Sequence, residues 1–181
     1  MLTKERLRSK ILSILRSQRE EERLKKSRII KNKLFRLDVF KKAKRIMFYL
    51  AYDGEVETKE MIAEAIKRGK IIAVPVCRKK EKKIIPCKIG LNTRFKKGPY
   101  GIKKPCKEVP LSVKNLDLVV VPGVAFDREG RRLGRGKGYY DYFLKTLPKK
   151  TVSLGLAFDF QLVPRVPVLP QDVPVSKVLF A

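Results

Sequence analysis

The sequence contains no histidine, and acidic residues are few: 18 Asp and Glu stand against 44 Lys and Arg in 181 residues, a formal net charge of +26. The absence of His excludes Ser-His-Asp triads, imidazole general bases and the common His-ligated zinc enzymes. The three cysteines, Cys77, Cys87 and Cys106, are odd in number and form no CxxC pair. That pattern argues for reduced thiols in the cytosol and against a disulfide framework or a zinc knuckle. No apolar run approaches the ~20 residues that cross a bilayer, and the opening MLTKERLRSK lacks an apolar signal core. The expectation is a cytoplasmic protein with no membrane partner. Its chemistry must run on carboxylates, Lys, Arg, Tyr, backbone N–H groups or a hard metal.

What is present suffices for a folded core. Hydrophobic residues make up 44% and charged residues 34%, so one domain over residues 1–181 is expected. The positive charge is uneven: residues 1–45 hold 17 Lys/Arg and 5 Asp/Glu, residues 78–107 hold 12 and 1, and residues 151–181 hold two of each. Three readings stay open: a solvated, thermophile-like exterior, a nucleic-acid face, or attraction of a small polyanionic substrate.

Periodicity describes an α/β chain. Leu7, Ile11, Ile14 and Leu15 predict a helix over 3–16 with Thr3 as its cap, and Ile30, Leu34 and Leu37 another over 20–37. Lys4 and Arg8 share a face beside the first apolar stripe, either as solvated cations or as a clamp for phosphate. Residues 45–52, RIMFYLAY, read as a strand and its exit. Thr58 is the expected N-cap of a helix to Arg68, with Met61, Ile62, Ala65 and Ile66 inward, and 71–76 is the next strand. RKKEKK at 78–83 reads as an exposed turn, 83–88 as an edge strand interrupted by Pro86, and 94–105 as an irregular loop. Residues 118–121, a helix after Gly138, and 152–157 form a second strand–helix–strand unit, and 178–180 a last strand. Such units imply parallel pairing through right-handed crossovers, and the continuous apolar strands imply a sheet covered on both faces.

The densest chemistry lies in LVVVPGVAFDREGRRLGRGKGYYDYFL, residues 118–144. An apolar strand is stopped by Pro122 and Gly123. Gly134, Gly136 and Gly138 then lead into a helix whose apolar face carries Tyr140, Phe143, Leu144 and Leu147. A glycine loop between strand and helix offers backbone N–H groups to an anion. The loop is not a Walker A sequence, because Gly follows Lys137, and its G-x-G-x-G spacing is a poor dinucleotide fingerprint. Arg135 can grip two phosphate oxygens and Lys137 can follow a transferring phosphoryl group as a point charge. Asp141, one turn into the helix, could bind Mg2+, with Asp172 as a second carboxylate or merely a turn residue between prolines. Tyr139, Tyr140 and Tyr142 either pack or line a slot for a flat ligand. A nucleic-acid-binding protein and a phosphosugar isomerase are the competing classes; the compact GRGKGYYD site disfavours the first, and no marked general base supports the second.

Over its whole length the sequence resembles the 5-formyltetrahydrofolate cyclo-ligase family, also called methenyltetrahydrofolate synthetase. The resemblance is carried by VPGVAFDREGRRLGRGKGYYDYFL at 121–144, the Lys4-xxx-Arg8 pair, EVET at 55–58, GPYGIKKP at 98–105 and GLAFDFQ at 155–161. Two positions depart from the common pattern: Lys137 stands where many members have a third glycine, and Gln171 precedes Asp172 where many have His. The resemblance implies a three-layer α/β/α sandwich with a mostly parallel central sheet, of the NagB/RpiA/CoA-transferase type. It also implies ATP- and Mg2+-dependent closure of 5-formyltetrahydrofolate to 5,10-methenyltetrahydrofolate, with ADP and phosphate released. Carried onto matching positions, Lys4, Arg8, Gly134, Arg135, Gly136, Lys137, Gly138 and Tyr139 would hold the nucleotide, with Arg135 and Lys137 catalytic. Leu50, Glu55, Gly101, Ile102, Tyr139 and Tyr140 would surround the folate, and Asp141 and Asp172 would hold Mg2+. The Lys-rich 78–107 segment is expected to attract a polyglutamate tail by charge alone. The expected species is a monomer with no specific nucleic-acid partner.

Overall fold

The computed structural model describes residues 3–181. Three helices open the chain, α1 (Lys4–Ser17), α2 (Glu20–Arg36) and α3 (Asp38–Lys42). Strand β1 (Arg45–Met47), helix α4 (Lys59–Lys67) and the hairpin strands β2 (Ile71–Arg78) and β3 (Lys83–Ile89) follow. A small hairpin of β4 (Phe95–Lys97) and β5 (Lys103–Pro105) precedes β6 (Leu118–Val121). A second small hairpin, β7 (Ala125–Phe126) with β8 (Arg132–Leu133), leads to α5 (Tyr139–Lys145), β9 (Val152–Ala157) and β10 (Lys177–Phe180).

The six-stranded sheet runs β10-β9-β6-β1-β2-β3. Every pairing in it is parallel except β2 with β3. Alternate residues divide its faces, as the period-2 geometry of a strand requires. Ile46, Ile72, Val74, Leu118, Val120, Leu154 and Leu156 face one core, filled by Leu7, Ile11 and Leu15 of α1, Ile30 and Leu34 of α2, Phe40 of α3, and Met61 and Ala65 of α4. Met47, Ala73, Val119, Val121 and Ala157 face the other, against Phe143 and Leu144 of α5 and Phe126. The architecture is the expected three-layer α/β/α sandwich, and β3 with its Pro86 is an edge strand.

Several local features differ from the sequence reading. Regular pairing ends at Met47, because the Tyr49 carbonyl accepts the Thr58 hydroxyl at 2.7 Å and the Tyr49 hydroxyl donates to the Val56 carbonyl at 2.9 Å. Thr58 therefore sits at the α4 N-cap without capping it; the Glu57 carboxylate accepts from Thr58 N and Lys59 N instead, both at 3.1 Å. Residues 94–105 are not irregular. β4 and β5 pair antiparallel across a turn in which Tyr100 has φ 59°. Thr3 does cap α1, accepting from Arg6 N at 3.3 Å.

Candidate functional site

Strand β1 is flanked by β2 on one side and β6 on the other, so the chain changes direction across the sheet between β1 and β6. In an open parallel sheet, ligands bind beyond the carboxyl ends of the strands at such a switch point. Two segments meet there: residues 52–55 beyond β1 and the glycine loop beyond β6. Arg135 joins them. Its Nη1 donates to Asp53 Oδ2 at 2.8 Å, its Nε to Glu55 Oε1 at 3.1 Å and its Nη2 to the Tyr52 carbonyl at 3.2 Å. Its guanidinium also lies 5.2 Å from the Tyr52 ring centroid.

Glu55 is buried, and its second oxygen accepts from Tyr52 N at 3.1 Å. Burial pushes its carboxyl pKa up, opposed by the Arg135 guanidinium. The turn that presents it is pressed on α1. Gly54 has φ 85°, and a Cβ there would lie 2.2 Å from the Leu15 carbonyl oxygen. Only glycine fits that approach.

Helix α1 also reaches the glycine loop. Arg8 Nε donates to the Gly134 carbonyl at 2.9 Å, and a Cβ on Gly136 would stand 3.6 Å from Arg8 Cζ. One turn earlier Lys4 pairs with Asp172, whose Oδ2 also accepts from Leu169 N at 2.7 Å. Asp141 accepts from Val173 N at 3.3 Å, which puts its carboxylate beside the segment carrying Asp172. Its main partner is Arg132 Nη2 at 3.0 Å. Arg132 is almost wholly buried beneath the loop, where a Cβ on Gly134 would come within 2.8 Å of its Nη1.

Aromatic groups close the other side. The Tyr100 and Tyr139 hydroxyls lie 3.4 Å apart with the rings edge to face, and Lys137 Nζ lies 5.8 Å from the Tyr100 ring centroid. The hydrogen bond to Tyr100, with burial, pushes Tyr139 up to about 12. Tyr140 is raised well above its ordinary value by burial, and its hydroxyl has no hydrogen-bond partner among the described residues. Arg132 Nε is a second buried polar atom in that state. Leu50 is half-buried against the core. A Cβ on Gly101 would sit 3.8 Å from the Tyr52 ring, and Ile102 beside it is half-buried. Tyr142 points to solvent at 57% exposure and lines no slot.

Arg8, Arg135, Glu55 and Gly134 to Gly138 thus form one wall; Lys137, Tyr139 and Gly101 approach it through Tyr100 and Tyr52. Lys4 and Asp172 satisfy each other one helical turn away. The sequence reading missed Tyr52, Asp53, Tyr100 and Arg132. Arg132 stood next to Arg131 with nothing in the sequence to say which arginine turns inward.

No cluster of three His, Cys, Asp or Glu side chains occurs among the described residues. Asp141 and Asp172 offer oxygen ligands only, which suits Mg2+, an ion that keeps several waters and commonly takes one or two carboxylates together with substrate phosphates. In donor chemistry the two carboxylates suit that ion, although Lys4 and Arg132 now pair with them.

A model of the 5-formyltetrahydrofolate cyclo-ligase family matches residues 1–181. The chain is 34% identical to 5-formyltetrahydrofolate cyclo-ligase of Mus musculus, over 96% of this chain and 91% of that one. It is also 34% identical to the Haemophilus influenzae 5-formyltetrahydrofolate cyclo-ligase, over 77% and 76%. The solved structure of Aquifex aeolicus 5,10-methenyltetrahydrofolate synthetase superposes with a TM-score of 0.86 at 34% identity, covering 99% of this chain and 90% of that one. A Mycoplasma pneumoniae 5,10-methenyltetrahydrofolate synthetase, 22% identical with a TM-score of 0.81, covers 98% of each chain and shares the fold. The chain belongs to the 5-formyltetrahydrofolate cyclo-ligase family and is an enzyme.

Proposed function

We propose that the protein closes 5-formyltetrahydrofolate to 5,10-methenyltetrahydrofolate, using ATP with Mg2+ and releasing ADP and phosphate. One observation beyond family membership carries this reading: Arg135 bridges the glycine loop, where phosphate would lie, to Glu55, where the pterin would lie. A formamide carbon is a poor electrophile, and its oxygen is a poor leaving group. Transfer of the γ-phosphoryl group to the formyl oxygen gives an N5-iminium phosphate; N10 then attacks the activated carbon, loses its proton, and phosphate departs. Such a transfer depends on positioning and charge stabilisation rather than on a protein nucleophile, so the lack of His is no obstacle.

In this reading Arg8, Lys4 and the Gly134–Gly138 backbone hold the triphosphate, while Arg135 and Lys137 neutralise charge on the moving phosphoryl group. Asp141 and Asp172 would hold Mg2+, which supplies charge neutralisation between phosphate oxygens. Arg132 and Lys4, now paired with these carboxylates, hold them in place until then. Glu55 accepts from the pterin. Tyr139, Leu50, Gly101 and Ile102 border the folate, and the unpartnered Tyr140 hydroxyl is free for a polar atom of it. Lys96, Lys97 and Lys103 stand exposed on the β4–β5 hairpin near Tyr100, where they would draw in a glutamate tail.

The test is the near-ultraviolet absorbance of the conjugated methenyl product, followed with 5-formyltetrahydrofolate and Mg2+, with and without ATP. An ATP-dependent rise with one ADP per product is expected, weakened by Lys137→Ala and abolished by Asp141→Ala. A folded protein that gives no rise refutes the reading.

A further inference from the structure

Asp53 has no part in the roles assigned above, yet it carries the contact that most constrains Arg135. It sits in the left-handed region at φ 52°, in the turn between β1 and α4. Its carboxylate meets two arginines. Arg16, near the end of α1, grips it with Nε at 3.0 and 3.1 Å from the two oxygens and Nη2 at 2.9 Å from Oδ2. Arg135 Nη1 reaches the same Oδ2 at 2.8 Å.

The turn is anchored before Arg135 arrives. Gly54 abuts the Leu15 carbonyl, and Gln18 Nε2 donates to both the Leu15 carbonyl at 3.0 Å and the Gly54 carbonyl at 3.1 Å. Arg16, with Arg135 second, holds the Asp53 carboxyl below its ordinary value, so it stays anionic between them. A guanidinium has five N–H donors. Asp53 takes one donor of Nη1, Glu55 takes the Nε donor, and Nη2 meets both the Tyr52 carbonyl and, at 3.1 Å, Glu55 Oε1. One donor remains on Nη1 for a phosphate oxygen, its direction set by the Asp53 contact on the same nitrogen.

We propose that Asp53 is a positioning residue for phosphoryl transfer: anchored to α1 by Arg16, it fixes the direction of the Arg135 guanidinium. The proposal rests on the cyclo-ligase reading. Without the Asp53 charge, Arg16 is left unpaired beside a guanidinium of like sign, and Arg135 loses its shortest fixed contact, keeping Glu55 and the Tyr52 carbonyl. Among the described residues the side-chain hydrogen bonds of Arg16 all go to Asp53, so its link to Arg135 runs through that carboxylate.

Asp53→Asn, Arg16→Gln and the double variant test this by steady-state kinetics alongside thermal unfolding. Asp53→Asn should lower kcat roughly ten- to a hundredfold, the scale of a misplaced catalytic group, with the KM for 5-formyltetrahydrofolate held within about twofold. Arg16→Gln should lower kcat less. The double variant should be no slower than Asp53→Asn, because the two residues act in series. A merely structural link would lower Tm and leave kcat of the folded fraction intact. Parental kcat in Asp53→Asn, or in Arg16→Gln should the first variant fail to fold, overturns the proposal, as do losses that multiply in the double variant. In either case an active parent chain leaves the cyclo-ligase reading standing; a parent that forms no methenyl product removes both.

Discussion

Gly54→Ala tests how the cleft is braced. At φ 85° an alanine pays roughly 1–2 kcal/mol for the left-handed conformation. Its Cβ would also stand 2.2 Å from the Leu15 carbonyl oxygen, so the turn and α1 must separate by about 1 Å, an overpacking cost of roughly 1–3 kcal/mol. The sum, near 3.5 kcal/mol, corresponds to a Tm lowered by about 7–14 °C in a chain of this size. Gly69 provides the control: it has φ 78°, but nothing lies within 4 Å of its Cβ position. Gly69→Ala should therefore carry the backbone strain alone, about 1–2 kcal/mol, and leave kinetics unchanged. Because Glu55 follows Gly54, Gly54→Ala should also raise the KM for 5-formyltetrahydrofolate. Urea unfolding of the parent and both variants measures the difference. If the two alanines agree within about 0.5 kcal/mol, the turn is not seated on α1 and the bracing argument is wrong.

Glu108 links β2 to the β5 side through Arg78 and Lys104, which hold its carboxyl at about 2 against an ordinary 4.5. A depressed pKa contributes stability fully present above pH 4.5 and lost as pH falls toward 2. Solvent screening limits it to about 1 kcal/mol, so Glu108→Gln should lower Tm at neutral pH and flatten its decline in acid; a parental slope counts against the ion pairs. For Glu55 the shift is opposite in sign: burial raises it, so as pH falls its ionised form is lost above pH 4.5. The acid limb of kcat/KM should lie above that value and vanish in Glu55→Gln; a limb at or below it would show that another group limits the rate. Arg8→Ala removes a charged donor from the proposed nucleotide side and should raise the KM for ATP roughly ten- to a hundredfold, with the KM for 5-formyltetrahydrofolate unchanged. Equal effects on both substrates would move Arg8 out of the phosphate site.

Much of this molecule was legible in its sequence because apolar runs bounded by Gly and Pro constrain the backbone strongly. The strands at 118–121 and 152–157, and the helix that crosses from β1 to β2, needed only periodicity. The β4–β5 hairpin was hidden because its strands, FKK and KKP, carry no apolar alternation; pairing across the Tyr100 turn defines it instead. Arg132 and Arg131 differ in burial only after β7 pairs with β8, which turns Arg132 inward at 4% side-chain exposure and leaves Arg131 at 29%. The grip of Asp53 on Arg16 and Arg135 joins three distant segments, and no local pattern encodes it.

The separation between Lys4 and Asp172, 168 positions along the chain, bears on when the cleft can exist. Contacts this distant close late, since the loop entropy must be met before they form. During synthesis α1 is made well before the segment after β9, so Lys4 lacks this partner until Asp172 follows. On the proposed reading, a chain stalled before Asp172 would lack both the partner of Lys4 and one of the two carboxylates offered to Mg2+.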